Sequence, residues 1–416
     1  MVTNLEQPTR SLDHHPITEL GHRKILCDEE DGGFTTNRIW NALLEDAKDS
    51  HVKVDAQYRD VCRAIDKGGK WRSHLIWHYA EQRVRQPGGL FWFIRHIITW
   101  RKLLRYVHDW HCCSYLESSL NTPAKYFFAW HRSSFKSVML RAACIWAIAV
   151  SPTETVIYAQ GRDEDITESM GEIIGTLEEN VALLTMFPHL EPAVSSVTGR
   201  RRQWGIDGLR TAGHVKFGQE GFGRDYSLRG ASAEGATTGK HPTLTAIDDL
   251  HTLKNTRSIN TMIPVKEFFE DLIGPSAQSD TPIWMIGTYY RIDDVYGDVK
   301  AGRHGEWHHT EMPLKRIVAE GSPMSYEDPL TPGQYVRYMI PKSLVMAQLT
   351  PAQRRGTCGF DPVNDLEYYK RMRHVRYTAQ MMLDPIPPGQ QRFPAGGWLT
   401  YPEEGANAPW SFLLTH

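Results

Sequence analysis

Apolar positions change their spacing along this chain. From Thr36 to Ser119 they recur at helical intervals, in "TNRIWNALLEDAK" and in "LFWFIRHIITWRKLLRYVHDWHCCSYLESSL", the second opening after the breaker "PGG". From Lys125 onward, short apolar runs alternate with helical segments. "KYFFAW" precedes a helix through Val150, "TVIYAQ" one from about Ile166 to Leu184, and "TLTAI" one around Pro264 to Leu272, with "IWMIG" following. Strands alternating with helices predict an α/β fold, a mainly parallel central sheet flanked by helices on both faces. After Lys300 the chain is rich in Pro, Gly and Tyr, with one helix near Asp365 to Met382. That texture predicts a lid or linker lobe rather than a continuation of the sheet. Three parts result: an N-terminal helical extension over 1–89, a core over 90–300, and the lobe over 301–416.

Composition narrows the picture only a little. A chain of 416 residues can bury one large core or two ordinary ones. The formal net charge of −2 hides local asymmetry: from Arg63 to Arg105 basic residues outnumber acidic ones, whereas Asp163 to Glu179 is acidic. A basic face can hold phosphates, and it can equally be a solvated helix surface. The most apolar stretch, "AACIWAIAV", is too short for a bilayer and reads as a buried helix, so no membrane partner is expected. The polar N-terminus carries no signal-peptide pattern. The six cysteines lack paired spacing, which predicts free thiols and a reducing cytoplasmic setting.

In a parallel α/β sheet, ligands bind beyond the carboxyl ends of the strands, so the residues just after each apolar run matter most. After "KYFFAW" come His131, Arg132, Ser133, Ser134, Phe135, Lys136 and Ser137. A phosphate-binding P-loop needs backbone N–H groups curled round the phosphates, a Lys on the β/γ-phosphates, and a hydroxyl on Mg²⁺ at a helix N-terminus. Lys136 and Ser137 supply the last two in the right order. The glycines that normally supply positive φ are missing, and Ser133, Ser134 and Phe135 stand in their place. After "TLTAI" stand Asp248 and Asp249, a candidate cation ligand and a candidate base for an attacking water. "PIWMIGT" then ends at Gly287-Thr288. Singly each feature also fits an ordinary turn; three successive strand ends carrying Lys-Ser, Asp-Asp and Gly-Thr form a constellation.

The span from about Leu90 to Phe393 resembles the ATPase domain of the large terminase subunit, the DNA-packaging motor of tailed bacteriophages. The resemblance rests on Arg132 standing four residues before Lys136, on "TTGKHPTLTAIDDL", on "IGTYYRIDDVYGDV" and on "VRYTAQMMLDPIPPGQQRF". It implies a P-loop NTPase fold of the additional-strand (ASCE) type. It also implies ATP as substrate and Mg²⁺ as cofactor, held by the loop Arg132–Ser137. Lys136 would bind the β/γ-phosphates, Arg132 would sense the γ-phosphate, and Ser137 and Asp248 would hold Mg²⁺. Asp249 would activate water, and Thr288 would couple hydrolysis to movement of the lobe. The implied partners are double-stranded DNA, the portal protein, a small terminase subunit and further copies in a ring of five on the procapsid; an isolated domain would be monomeric. The implied setting is the cytoplasm of a host bacterium. Arg200, Arg201 and Arg202 are loop arginines that would contact DNA or a neighbouring subunit's nucleotide, or stay solvated.

Two departures from that family stand out. The loop has no glycine, with Phe135 directly before the lysine. The chain also stops at "APWSFLLTH", where large terminases normally continue into an RNase H-like nuclease, so nuclease activity is not expected of it. "WSFLLT" is read as the first nuclease strand, ending at the domain boundary. Two other functions stay open: a helicase-like DNA translocase on the same core, and a packaging scaffold that binds DNA or portal without hydrolysing ATP. "HGEWHH" (His304 to His309), "HDWHCC" (His108 to Cys113) and "ATTGK" imitate metal or nucleotide motifs. The first has a spacing that fits no common zinc helix, and the resemblance implies a surface turn there; the context of the other two points to helix packing and to an ordinary loop containing Lys240.

Overall fold

The computed structural model describes residues 34–48, 72–99, 102–120, 122–217, 226–235, 242–252, 254–256, 258–278, 281–323, 325–328, 333–340, 342–347, 379 and 381–384. Within them lies an eight-stranded sheet in the order β3-β4-β5-β2-β6-β7-β1-β8. Its strands are β1 (Lys125–Trp130), β2 (Val156–Gln160), β3 (Trp204–Gly205), β4 (Gly208–Leu209), β5 (Leu228–Ser232), β6 (Leu244–Asp248), β7 (Ile283–Gly287) and β8 (His308–Met312). The six strands from β5 through β8 pair in parallel, and only the β3-β4 edge is antiparallel. β7 stands between β1 and β6, so all three of the strand ends singled out above open on one edge of the sheet.

The central strands form because they can bury both faces. Along β1, Tyr126, Phe128 and Trp130 enter one core while Phe127 and Ala129 enter the other. That period-2 division explains an unbroken apolar run where a half-exposed strand would alternate with polar residues. The larger core is roofed by the Lys136–Val150 and Asp163–Glu179 helices and by helices Phe34–Lys48, Arg72–Arg85 and Gly89–His96. The smaller core packs under helices Ile259–Gln278 and Val295–Lys300.

The N-terminal helices are therefore built into the core. Ile39, Trp40, Ile76 and Trp77 belong to the cluster that holds Phe128 and Trp146, and the Trp146 indole donates to the Val84 carbonyl at 3.1 Å. Part of the basic run is consumed internally. Arg83 is buried with its Nε 2.7 Å from Asp46, and the Arg105 guanidinium lies over the Phe91 ring. Arg63, Lys67 and Lys70 lie outside the described residues.

Several elements differ from the sequence reading. The sheet does not end at Lys300: β8 pairs with β1 from Tyr126–His308 to Trp130–Met312. His308 and His309 thus sit in a strand rather than a surface turn, with the His309 ring stacked on Phe127. The polar sequence "HHTEM" hid an edge strand that buries little. A small antiparallel sheet follows, β10 (Tyr326–Glu327), β11 (Tyr335–Tyr338) and β9 (Lys315–Ile317). β5 was missed because its middle residues are only half-buried. The helix expected to Leu184 breaks at Asn180, whose side chain accepts the Leu183 N–H and starts a separate helix, Val181–Met186. The long helical stretch after "PGG" divides into Gly89–His96, a wide-turned π-type segment Arg105–Cys113, and Ser114–Ser119. The helix near Asp365 falls largely outside the described residues, as do "WSFLLT" and Lys240. Cys112, Cys113 and Cys144 are buried thiols. Among the described residues no helix is long and apolar enough to cross a membrane.

Candidate functional site

A cleft of about 490 Å³ opens at the carboxyl ends of β1, β2, β6 and β7. Arg132, Lys136, Ser137, Asp248, Asp249 and Thr288 all line it, so six of the residues chosen from sequence meet in one place. Arg200, Arg201 and Arg202 do not. They sit exposed on a separate loop, where Arg201 pairs with Glu178 at 2.8 Å.

The loop after β1 solves its lack of glycine by accepting unfavourable backbone angles. Ser133 and Phe135 both have φ of 66°, and Phe135, with ψ of 13°, stands left-handed immediately before the helix that begins at Lys136. Each left-handed non-glycine residue costs about 1–2 kcal/mol. That cost is borne because the surroundings fix the chain. The Phe135 side chain is 9% exposed and turns into the core, against His108. It does not line the cleft, so its bulk does not obstruct a ligand there. Arg132 and Ser133 are exposed, and Ser134 is buried.

Lys136 is nearly buried at the first turn of its helix, with Nζ 3.6 Å from Asp249 Oδ2. The next residue, Ser137, donates its hydroxyl to Asp248 Oδ1 at 3.0 Å. This contact links the end of β1 to the end of β6 across the intervening β7.

The two carboxylates differ although they are adjacent. Asp248 is fully buried, and its second oxygen accepts the Tyr158 hydroxyl at 2.6 Å and the Gln160 amide at 3.5 Å. Burial pushes its carboxyl up to about 6, the Asp249 charge adds to this, and Tyr158, Lys136 and Arg141 oppose it. Asp249 leaves the strand with φ of 38° while its N–H still bonds the Ile286 carbonyl at 3.2 Å. Its side chain is 38% exposed, yet Oδ1 is buried and has no hydrogen-bond partner among the described residues. An unsatisfied buried acceptor beside a polar cleft fits a donor delivered by a ligand or water.

Thr288 closes the site from β7, its hydroxyl donating to the Trp130 carbonyl at the end of β1 at 3.3 Å. Gly287 is required there, since a Cβ would lie 2.4 Å from the Tyr296 ring.

Sequence reasoning missed Tyr158 and Gln160, which hold Asp248, and Arg141, which lines the cleft while paired with Glu172 at 2.7 Å. A signal existed: in "VIYAQ" Tyr158 and Gln160 occupy alternate positions, hence one face, at the carboxyl end of a strand. Compared with protein-family models, the chain matches none, and no curated protein sequence matches it.

Proposed function

We propose that the chain is a Mg²⁺-dependent ATPase of the large-terminase type, a P-loop NTPase that powers packaging of double-stranded viral DNA into a procapsid. The observation that carries this reading is the 3.0 Å bond from Ser137 to Asp248, with Lys136 and Asp249 paired beside it. It joins the lysine–hydroxyl loop of one strand to the two carboxylates of another, with the Thr288 strand between them. A strand inserted between those two supports the additional-strand reading. The positive φ angles at Ser133 and Phe135 remove the main conformational objection to a glycine-free phosphate loop.

The residues fit a hard cation. Ser137 and Asp248 offer oxygen donors only, as Mg²⁺ requires, and would hold it directly or through water. No group of three or more His, Cys, Asp or Glu side chains gathers for an ion among the described residues, so phosphate and water would complete the shell. When bound, Mg²⁺ neutralises phosphate charge as it develops during transfer.

Lys136 has two uses. It pairs with Asp249 at 3.6 Å; with phosphates in the cleft its ammonium would turn to them, which would free Asp249 to accept a proton from the attacking water. Arg132, exposed and lining the cleft, would reach the terminal phosphate. Thr288 would transmit the outcome, since its hydroxyl ties β7 to β1 and its chain continues into Tyr289 to Lys300. By the same reading the motor grips DNA phosphates, works with a portal protein and a small terminase subunit as a ring of five, and acts in the cytoplasm of a host bacterium. Phosphate contacts make DNA binding salt-sensitive and independent of sequence.

The test is ATP hydrolysis by the purified chain with and without portal-bearing capsids. Hydrolysis lost in Lys136→Ala and Asp249→Asn supports the motor. A wild-type chain that binds no ATP at millimolar concentration sinks it and favours a DNA- or portal-binding scaffold. Stimulation by free DNA ends but not by capsids favours a helicase-like translocase.

A further inference from the structure

One buried histidine has no part in the chemistry above. His108 lies in the π-type segment Arg105–Cys113, within the "HDWHCC" stretch whose expected role was packing alone. It is completely buried, and both of its ring nitrogens are engaged. Nδ1 lies 2.8 Å from the Leu104 N–H and 3.1 Å from the Leu104 carbonyl, so it can accept from the first; the tautomer with its proton on Nε2 is the one that also lets Nε2 donate to the carbonyl it faces. Nε2 lies 3.1 Å from the carbonyl oxygen of Ser134, inside the loop that follows β1. The ring also meets Trp130 edge-on at 5.8 Å and Phe135 at 5.9 Å, the residues flanking the loop on either side. Burial holds the imidazole well below its usual range, down to about 4, so it stays the neutral Nε2–H donor through the physiological range.

We propose that His108 is the positioning residue of the anion-binding loop, replacing through one side-chain hydrogen bond the conformational role that glycines fill in other phosphate loops. The inference rests on the ATPase reading for the identity of the anion, but not for the role of the histidine in shaping the loop. The reason is geometric. A phosphate cradle needs its amide hydrogens turned toward the ligand and its carbonyls turned away, because a carbonyl facing phosphate repels it. A trans peptide holds C=O and N–H antiparallel. By anchoring the Ser134 carbonyl in the interior, His108 turns the Phe135 N–H in the opposite direction. The residues on both sides of Ser134 are the two with φ of 66°, so the anchored carbonyl sits between the two strained positions and holds both. The π-type turn fits this role: wide turns inside helices recur where a side chain must be aimed at a functional site.

The experiment compares wild type, His108→Leu, His108→Gln and the double variant His108→Leu/Ser133→Gly. Hydrogen exchange over residues 131–137 without nucleotide reads the loop directly. His108→Leu should speed exchange there about tenfold, the effect of losing one buried hydrogen bond, while β2 and β6 stay protected. Mg-ATP binding and turnover give the second readout: KM should rise by a similar factor with kcat at saturation nearly unchanged. His108→Gln, which retains an N–H donor, should restore much of the wild-type behaviour. So should Ser133→Gly in the leucine background, because glycine removes the strain that His108 holds. Unchanged exchange over 131–137 in His108→Leu, or a loss spread evenly over the whole sheet, overturns the proposal. A wild-type chain that binds no ATP, while His108→Leu still loosens the loop, overturns the ATPase reading and upholds the positioning role.

Discussion

The loop after β1 and the end of β6 meet in one cleft, yet they are held in opposite ways. The loop is fixed through its backbone: left-handed angles at Ser133 and Phe135, the Ser134 carbonyl against His108, and the Phe135 ring in the core. The end of β6 is fixed chiefly through side chains, Asp248 by Ser137 and Tyr158 and Asp249 by Lys136, with one backbone contribution at Asp249, whose φ is 38° and whose N–H bonds the Ile286 carbonyl. The contrast teaches where identity matters. A backbone cradle tolerates any side chains that can hold its angles, so serine and phenylalanine can stand for glycine. On the ATPase reading, a carboxylate end would tolerate no exchange, because its oxygens would themselves be the working atoms.

The largest test of that contrast is at Asp249. Asp249→Asn keeps the shape and removes the negative charge and proton-accepting ability, so steady-state ATP turnover should fall about 10²–10⁴-fold. Lys136→Ala should cost comparably and also strand Asp249 without its cation. If Asp249→Asn retained near-normal turnover, the carboxylate end would be as permissive as the loop and the comparison would collapse.

A middle-sized effect belongs to Tyr158→Phe. It deletes the 2.6 Å bond to a fully buried carboxylate and leaves Asp248 with Ser137 and the longer Gln160 contact. Leaving such an acceptor short of a partner costs about 1–3 kcal/mol. The drop should appear in the midpoint of denaturant unfolding, together with reduced turnover. An unchanged midpoint would mean that the β6 end is not held by its side chains.

The same contrast explains what could be read from the sequence. β1, β2, β6 and β7 were legible because strands buried on both faces become continuous apolar runs. Asp248, Asp249 and Thr288 were legible because they stand at the ends of such runs, and Lys136 and Ser137 because they open the helix after the short loop that follows one. Tyr158 and His108 were not, since their roles depend on partners 90 and 26 residues away. The loop looked like a failed motif because glycine is the usual source of positive φ, and a sequence does not reveal that packing can enforce the same angle. β8 stayed hidden for the converse reason: an edge strand made of "HHTEM" has no apolar run to announce it.

Ser133→Gly probes the backbone side of the comparison with a small effect of the opposite sign. Ser133 is exposed, so its replacement removes no core contact, and glycine relieves the left-handed strain while making the unfolded chain more flexible. The balance should favour the folded state by roughly 0.5 kcal/mol, read as a slightly raised unfolding midpoint with turnover intact. A loss of stability would show that the Ser133 side chain contributes more than its angle.

The smallest effect at the cleft tests the support beneath the loop. Glu117 follows the segment that carries His108, and its two oxygens accept the N–H groups of Gly88 and Gly89 at 2.9 and 3.1 Å. Burial pushes this carboxyl up to about 7, against the pull of those two donors and of Arg83. A raised carboxyl pKa means that the folded chain binds the proton more readily than the unfolded one. This group's contribution to stability should therefore grow as pH falls from about 7 toward 4.5, and above pH 7 the full penalty of burying its charge remains. Glu117→Gln cannot titrate. The difference in unfolding free energy between wild type and variant should then change by about 1 kcal/mol per pH unit inside that window and stay flat above it. The slope is the readout, because glutamine also gives up one of the two backbone bonds and so shifts the offset. ATP turnover at pH 8 should barely move, since Glu117 supports the segment carrying His108 without touching the loop. A large loss of turnover with no change of slope would mean that Glu117 acts on the cleft itself, and the backbone support would then have to include this carboxylate along with His108.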